Sequence, residues 1–120
     1  MRYFFDTYAI IEIIEDNKNY DEYKDEEIIT SVLNVGELYY SLLKKNEEAA
    51  ENWYEKLKHS AILVDIEILK GAMKFRFENK NKKFSVIDCV GYIIAKEKGL
   101  RFLTGDEGFK YIDNVEFVKK

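Results

Sequence analysis

Four carboxylates in this chain stand among apolar neighbours, where a freely solvated acid is out of place. Asp6 ends the run Tyr3–Phe5, and Glu37 lies within Val35-Gly36-Glu37-Leu38-Tyr39. Asp88 lies within Ser85-Val86-Ile87-Asp88-Cys89-Val90, and Asp106 follows Phe102-Leu103 in Thr104-Gly105-Asp106. Three or four carboxylates drawn into a small space repel, and they cannot all stay ionised unless cations neutralise them. Oxygen donors with no Cys or His cluster beside them select hard ions, Mg²⁺ or Mn²⁺, over zinc. Ions held in this way suit phosphodiester hydrolysis: one lowers the pKa of an attacking water, a second stabilises the leaving oxygen, and no side-chain nucleophile is needed. The only histidine, His59, is distant from all four acids in the sequence.

Each acid also has a local alternative. Asp6 could cap a helix starting at Thr7 or Tyr8. Asn34-Val35-Gly36-Glu37 and Ser85-Val86-Ile87-Asp88 resemble capping boxes, and Asp106 could cap a turn over 107–111. Four caps would still leave their common placement, at strand-to-helix junctions or helix starts, unexplained. Thr7, Ser85 and Thr104 are spaced to hydrogen-bond and orient the acids, a role compatible with capping. Lys80, Lys82 and Lys83 precede Ser85 and could contact the phosphates of a polyanion beside the acids; a solvated loop is the plainer reading.

The elements that must position these residues follow from hydrophobic patterning. Short apolar runs at Tyr3–Phe5, Ile28–Ile29, Ala61–Val64, Phe102–Leu103 and Val115–Val118 read as buried strands. Helical segments are expected over 7–15, 34–45, 48–59, 65–79 and 85–98. Strands alternating with helices imply parallel pairing through crossovers, an α/β sandwich. In such sheets ligands bind beyond the carboxyl ends of the strands, where strand order reverses. If the first strand neighbours the one ending at Leu103, then Asp6 and Asp106 face one crevice, and the helix starts carrying Glu37 and Asp88 can point into it. The segment 65–79 carries apolar groups on two sides, so it is expected to be covered by the core and by a neighbour or partner.

Composition narrows the function classes. With 120 residues, one domain spanning 1–120 is expected, and 47% hydrophobic residues exclude general disorder. Lys+Arg 19 against Asp+Glu 23 gives a net charge of −4, so any nucleic acid must be held locally by a patch or by metal ions. Charge is uneven: residues 12–27 carry net −6, and residues 70–83 carry net +5. A lone Cys forms no internal disulfide, and no apolar run is long enough to span a bilayer; a cytoplasmic protein without membrane contact is the expectation.

These motifs together resemble the PIN-domain ribonucleases, in particular the VapC-type toxins of type II toxin–antitoxin pairs, over essentially the whole chain. Phe4-Phe5-Asp6-Thr7 is similar to the family's opening strand, and Ser31 through Glu37-Leu38 to its second motif. Phe84-Ser85-Val86-Ile87-Asp88 followed by Ile93-Ile94-Ala95 resembles the third, and Leu103-Thr104-Gly105-Asp106-Glu107-Gly108-Phe109 the fourth. The resemblance implies a three-layer α/β/α sandwich around a parallel five-stranded sheet in the order 3-2-1-4-5. It further implies a Mg²⁺/Mn²⁺-dependent endoribonuclease using a metal-activated water, with Asp6, Glu37, Asp88 and Asp106 as metal ligands and catalytic residues. Homodimerisation and inhibition by a cognate antitoxin protein are implied as well. Some aromatics on the helical pair 34–59 could form a groove for an antitoxin helix, with core packing the role expected for most of them. The chain departs from the family pattern at Tyr8 and Ala9, at Asn34, at Gly91, and at Gly105 and Glu107 beside the fourth acid. A non-catalytic PIN-like protein- or RNA-binding module is the competing reading. A phosphoacceptor receiver domain fits by length alone and wants an acidic pair where Asp6-Thr7 supplies one acid.

Overall fold

Alternation along the shortest apolar runs sets the layers of this molecule. A computed structural model describes residues 2–120. In it β1 (Tyr3–Phe5), β2 (Arg101–Thr104) and β3 (Val115–Phe117) form a parallel sheet in the order β1-β2-β3. Phe4 is paired with Phe102 and Phe5 with Leu103. Side chains on a strand alternate between faces, so Phe4 and Phe102 feed one core while Phe5 and Leu103 feed the other.

On the Phe4 side lie α4 (Ile66–Glu78) and α5 (Val86–Glu97), contributing Ile68, Ala72, Val90 and Ile94. On the Phe5 side lie α1 (Thr7–Ile14), α2 (Val32–Leu43) and α3 (Glu47–Leu57), contributing Ile10, Leu38, Leu42, Ala50 and Leu57. Tyr20 and Tyr23, from a 3₁₀ segment over Lys18–Tyr23, close the second core, and the Tyr20 hydroxyl donates to the Val118 carbonyl at 2.7 Å. The result is an α/β/α sandwich.

The expected five strands are reduced. Ile29 bridges Phe4 on the side of β1 away from β2, and Ser31 bridges Ile62, both in parallel. The segments Ile28–Ile29 and Ala61–Val64 therefore occupy the expected outer positions in the order 3-2-1-4-5, but each pairs too briefly to form a regular strand. Glu26 and Glu27 on one flank and Asp65 on the other leave few apolar residues to bury there.

Every helix start but that of α1 follows a side-chain cap. Asp65 accepts from the Ile68 amide at 2.9 Å and Ser85 from the Asp88 amide at 3.1 Å. Ser31 caps α2, so that helix begins two residues before the expected 34. The two-sided apolar pattern of α4 resolves unequally: Ile68 and Ala72 are buried, whereas Ile66 and Phe77 are left exposed. Gly91 does not interrupt α5. It permits close seating on the sheet, because a Cβ there would lie 2.8 Å from Phe4 Cε1 and 3.1 Å from Phe102 Cε1.

Gly91→Val should therefore destabilise the fold by about 1–3 kcal/mol through overpacking, despite better helix propensity. Gly36→Ala, on an exposed turn of α2 with no atom near the added methyl, should instead gain up to about 1 kcal/mol. Urea unfolding midpoints of the two variants check this; wild-type stability in Gly91→Val would show that α5 is not pressed onto the sheet.

Candidate active site

Asp6 follows β1 directly, and its amide donates to the Leu103 carbonyl at 3.0 Å, extending the ladder by one residue. Its side chain is nearly removed from solvent, with 3% of the residue exposed. It makes no capping bond to α1. The Thr104 hydroxyl donates to Asp6 Oδ2 at 2.7 Å and accepts from the Asp106 amide at 3.2 Å. Thr104 thus fixes the two acids at the carboxyl ends of neighbouring parallel strands. Asp106 Oδ1 accepts from the Gly108 amide at 2.9 Å, which sets its rotamer within a 3₁₀ turn over Glu107–Phe109.

Asp88 stands in the first turn of α5 in a reciprocal capping box: the Ser85 amide donates to Asp88 Oδ2 at 3.0 Å, and the Asp88 amide donates to Ser85 Oγ. Glu37 is different. Because α2 starts at Val32, Glu37 falls beyond the first turn, and Asn34 takes the position facing the cap. Ser31 Oγ donates to Asn34 Oδ1 at 2.6 Å, and Asn34 Nδ2 donates to Thr7 Oγ1 at 3.0 Å. The capping-box expectation for Asn34 and Glu37 is thereby corrected, and Glu37 is left with no capping role.

Asp6, Glu37, Asp88 and Asp106 line one open depression of about 530 Å³, with Thr7, Tyr8, Ile11, Ser41, Gly105 and Glu107. Burial pushes the Asp6 carboxyl up to about 8; the charges of Asp88 and Glu37 add to that, and the Thr104 bond opposes it. Asp88 is also raised, by burial first and by Asp106 and Glu37. The acids sense one another. Among the described residues no lysine or arginine forms an ion pair with any of the four.

The donor set fits a hard divalent cation, since every charged donor is a carboxylate and the buried one is held against its own ionisation. Among the described residues no three His, Cys, Asp or Glu side chains are drawn together tightly enough to hold an ion as they stand. Asp6, Asp88 and Asp106 each direct an oxygen to a protein donor.

The lysines fall elsewhere. Lys80 and Lys83 line a separate depression of about 460 Å³ with Met73, Arg76, Phe77 and Phe84, and Lys82 lines neither. Of the candidate orienting residues, Thr104, Ser85 and Thr7 all bond within the site's framework, Thr7 through Asn34. His59 is exposed beyond the end of α3, and Cys89 is fully buried.

Sequence reasoning passed over two features. The Phe84 and Phe109 rings stack at 4.0 Å between centroids, joining the segments that carry Asp88 and Asp106; their positions beside Ser85 and Gly108 were the available signal. The second is a compensation. A Cβ on Gly105 would meet Tyr8 Cε1 at 2.3 Å and the Val118 carbonyl oxygen at 2.6 Å, so the large residue after the first acid requires the small one before the fourth.

The PIN domain family model matches residues 3–115. The chain belongs to the PIN domain family. Its fold is similar to that of a toxin–antitoxin complex chain from Klebsiella pneumoniae, with TM-score 0.77 and 17% identity over 95% of each chain. It is similar also to a chain of VapBC2 from Rickettsia felis bound to a DNA fragment from their promoter, with TM-score 0.72 and 19% identity over 100% of this chain and 99% of that one. A chain of VapBC-1 from nontypeable Haemophilus influenzae matches with TM-score 0.70 and 18% identity, over 99% and 98%. No curated protein matches the sequence. Among the described residues, no helix of this PIN domain is long and apolar enough to cross a membrane.

A carboxyl held at about 8 in the fold against an ordinary value near 4 keeps a proton that the unfolded chain releases. Stability of the metal-free protein should therefore fall as pH rises from about 4 to about 8. In chelator, thermal melts should show this decline for the wild type and a flatter profile for Asp6→Asn, with Mn²⁺ raising the wild-type melting temperature most at the alkaline end. A wild-type profile as flat as that of Asp6→Asn would contradict the buried, crowded acid.

Proposed function

We propose that this PIN domain is a divalent-metal-dependent endoribonuclease, acting as the toxin of a toxin–antitoxin pair. The observation that carries this reading is the convergence of Asp6, Glu37, Asp88 and Asp106, from four separate stretches of chain, on one depression. These four would hold Mg²⁺ or Mn²⁺. When bound, the ions supply Lewis acidity to water attack at phosphorus and to the departing oxygen.

The chain's own residues prepare that chemistry. Thr104 orients Asp6 and, through the Asp106 amide, sets the spacing of the two strand-end acids. Ser85 fixes Asp88, and Asn34 fixes Thr7 on the cavity wall. Tyr8 and Ile11 give that wall an apolar side. No histidine or cysteine lines the depression, so water is the nucleophile that the site favours.

An antitoxin partner is supported by the similar structures, which are toxin–antitoxin and VapBC complexes. A cavity of about 410 Å³ between α2 and α3, lined by Val32, Val35, Tyr39 and Tyr54 among others, suits an apolar segment of such a partner. The exposed Tyr40, Leu43 and Tyr54 are available for it or for a second copy of the chain.

Purified protein freed of its partner should cleave RNA with Mg²⁺ or Mn²⁺ and stop in chelator. Asp6→Asn, Glu37→Gln, Asp88→Asn and Asp106→Asn should each fall to background. Thr104→Val should lose roughly 10–100-fold, the range for a residue that orients a metal ligand. Cleavage that survives Asp6→Asn and Asp88→Asn, or that is indifferent to chelator, rejects the assignment.

A further inference from the structure

The acidic depression does not absorb the most positive part of the chain. Residues 70–83 carry net +5 in a protein of net −4, and their far end forms a second depression lined by Met73, Arg76, Phe77, Lys80, Lys83 and Phe84. Phe77 is 69% exposed on a helix that buries Ile68 and Ala72, an unusual state for a phenylalanine. Lys80 Nζ lies 4.9 Å from its ring centroid, so aromatic face and cation form one unit.

This surface is held in place. Asn79 ends α4 by donating from its amide and its side chain to the Phe75 carbonyl, and the Lys82 amide donates to Asn79, closing a 3₁₀ turn over Lys80–Lys82. Lys83 then adopts a left-handed backbone with φ 60, a conformation that costs a non-glycine residue energy. Arg76 Nε donates to the Phe84 carbonyl at 2.8 Å, tying the turn to the residue just before Ser85. The turn is thus linked by one peptide to the capping box of Asp88.

We propose that Phe77, Lys80 and Lys83 form a binding site for single-stranded RNA, in which a base stacks on the Phe77 ring and the flanking phosphates lie on the two lysines. The inference rests on the ribonuclease reading for its substrate and adds a surface, separate from the acidic depression and tied through Phe84 to the capping box of Asp88, that would hold the strand. Single strands are held by this pairing of an aromatic platform with a cationic track, and the positive charge opposes the acidic remainder of the molecule, selecting a polyanion. A duplex would satisfy the lysines but offer no free base to the ring.

The test is fluorescence anisotropy with a labelled oligouridylate of about eight nucleotides, in chelator so that nothing is cut. Phe77→Ala should weaken binding by about 5–150-fold, the range for loss of one stacked base, whereas Phe77→Trp should bind as wild type. Lys80→Ala, and Lys83→Gly, which keeps the left-handed backbone, should each lower the salt dependence of log K by about 0.7. Photo-crosslinking of 4-thiouridine RNA to the peptide containing Phe77 in the unaltered protein gives a readout independent of variant folding. Wild-type affinity in Phe77→Ala with no such crosslink overturns the site. A poly-glutamate peptide that displaces the RNA equally well, and whose own binding also needs Phe77, overturns it in favour of a protein-binding surface. Binding as expected but no cleavage on adding Mn²⁺ upholds the site and removes the nuclease reading; cleavage with Phe77→Ala binding unchanged does the reverse.

Discussion

The bond from the Thr104 hydroxyl to the Asp6 carboxylate is the constraint around which the site is organised. It crosses from the end of β2 to the end of β1, and the same oxygen receives the Asp106 amide. One small side chain thereby sets two acids, Asp6 and Asp106, that lie 100 residues apart in the sequence. The cost is electrostatic: Asp6 is buried, has other carboxylates within its field, and has no cationic partner among the described residues. A fold keeps such an arrangement against its own stability where a counter-charge arrives from outside. On the proposed reading, the depression is where that counter-charge would be held.

Around this bond the packing is arranged to prevent relaxation. Phe84 and Phe109 stack within a larger aromatic group that includes Phe75, Tyr92 and Phe102, so the helix start bearing Asp88 and the turn bearing Asp106 rest on a common aromatic base. Tyr8 fills the space above Gly105, and α5 is drawn onto the sheet at Gly91. These contacts involve large rings against positions without side chains, which leaves little freedom for the acids to separate. The backbone that carries the acids is held by shape, while the oxygens of Asp6, Asp88 and Asp106 turn to protein donors.

Much of this was legible in the residues. The strand and helix segments emerge from apolar run length and caps, and the junction placement of Asp6, Asp88 and Asp106 is apparent from the runs that precede them. Glu37 was legible as an acid in apolar company, but its freedom from capping depends on Ser31 starting α2 early, and Asn34 hid that by imitating a cap. The outer strands were overestimated because apolar stretches as short as Ile28–Ile29 state hydrophobicity, not pairing length. The Tyr8–Gly105 fit could not be read at all: it joins two positions nearly a hundred residues apart, and each alone seemed a mere departure from pattern. Lys80, Lys82 and Lys83 were legible as a cationic run, while the depression that Lys80 and Lys83 line, apart from that of the acids, was not.

The tapering of the sheet has a consequence for how the chain behaves in crowded company. Along one margin the pairing dwindles to single bridges at Ile29 and Ile62, and along the other β3 runs for only three residues. An extended free margin is a template on which the backbone of another molecule can dock and polymerise. Both margins here are short, one of the devices by which sheets limit edge-to-edge pairing, and here it comes from strands left incomplete.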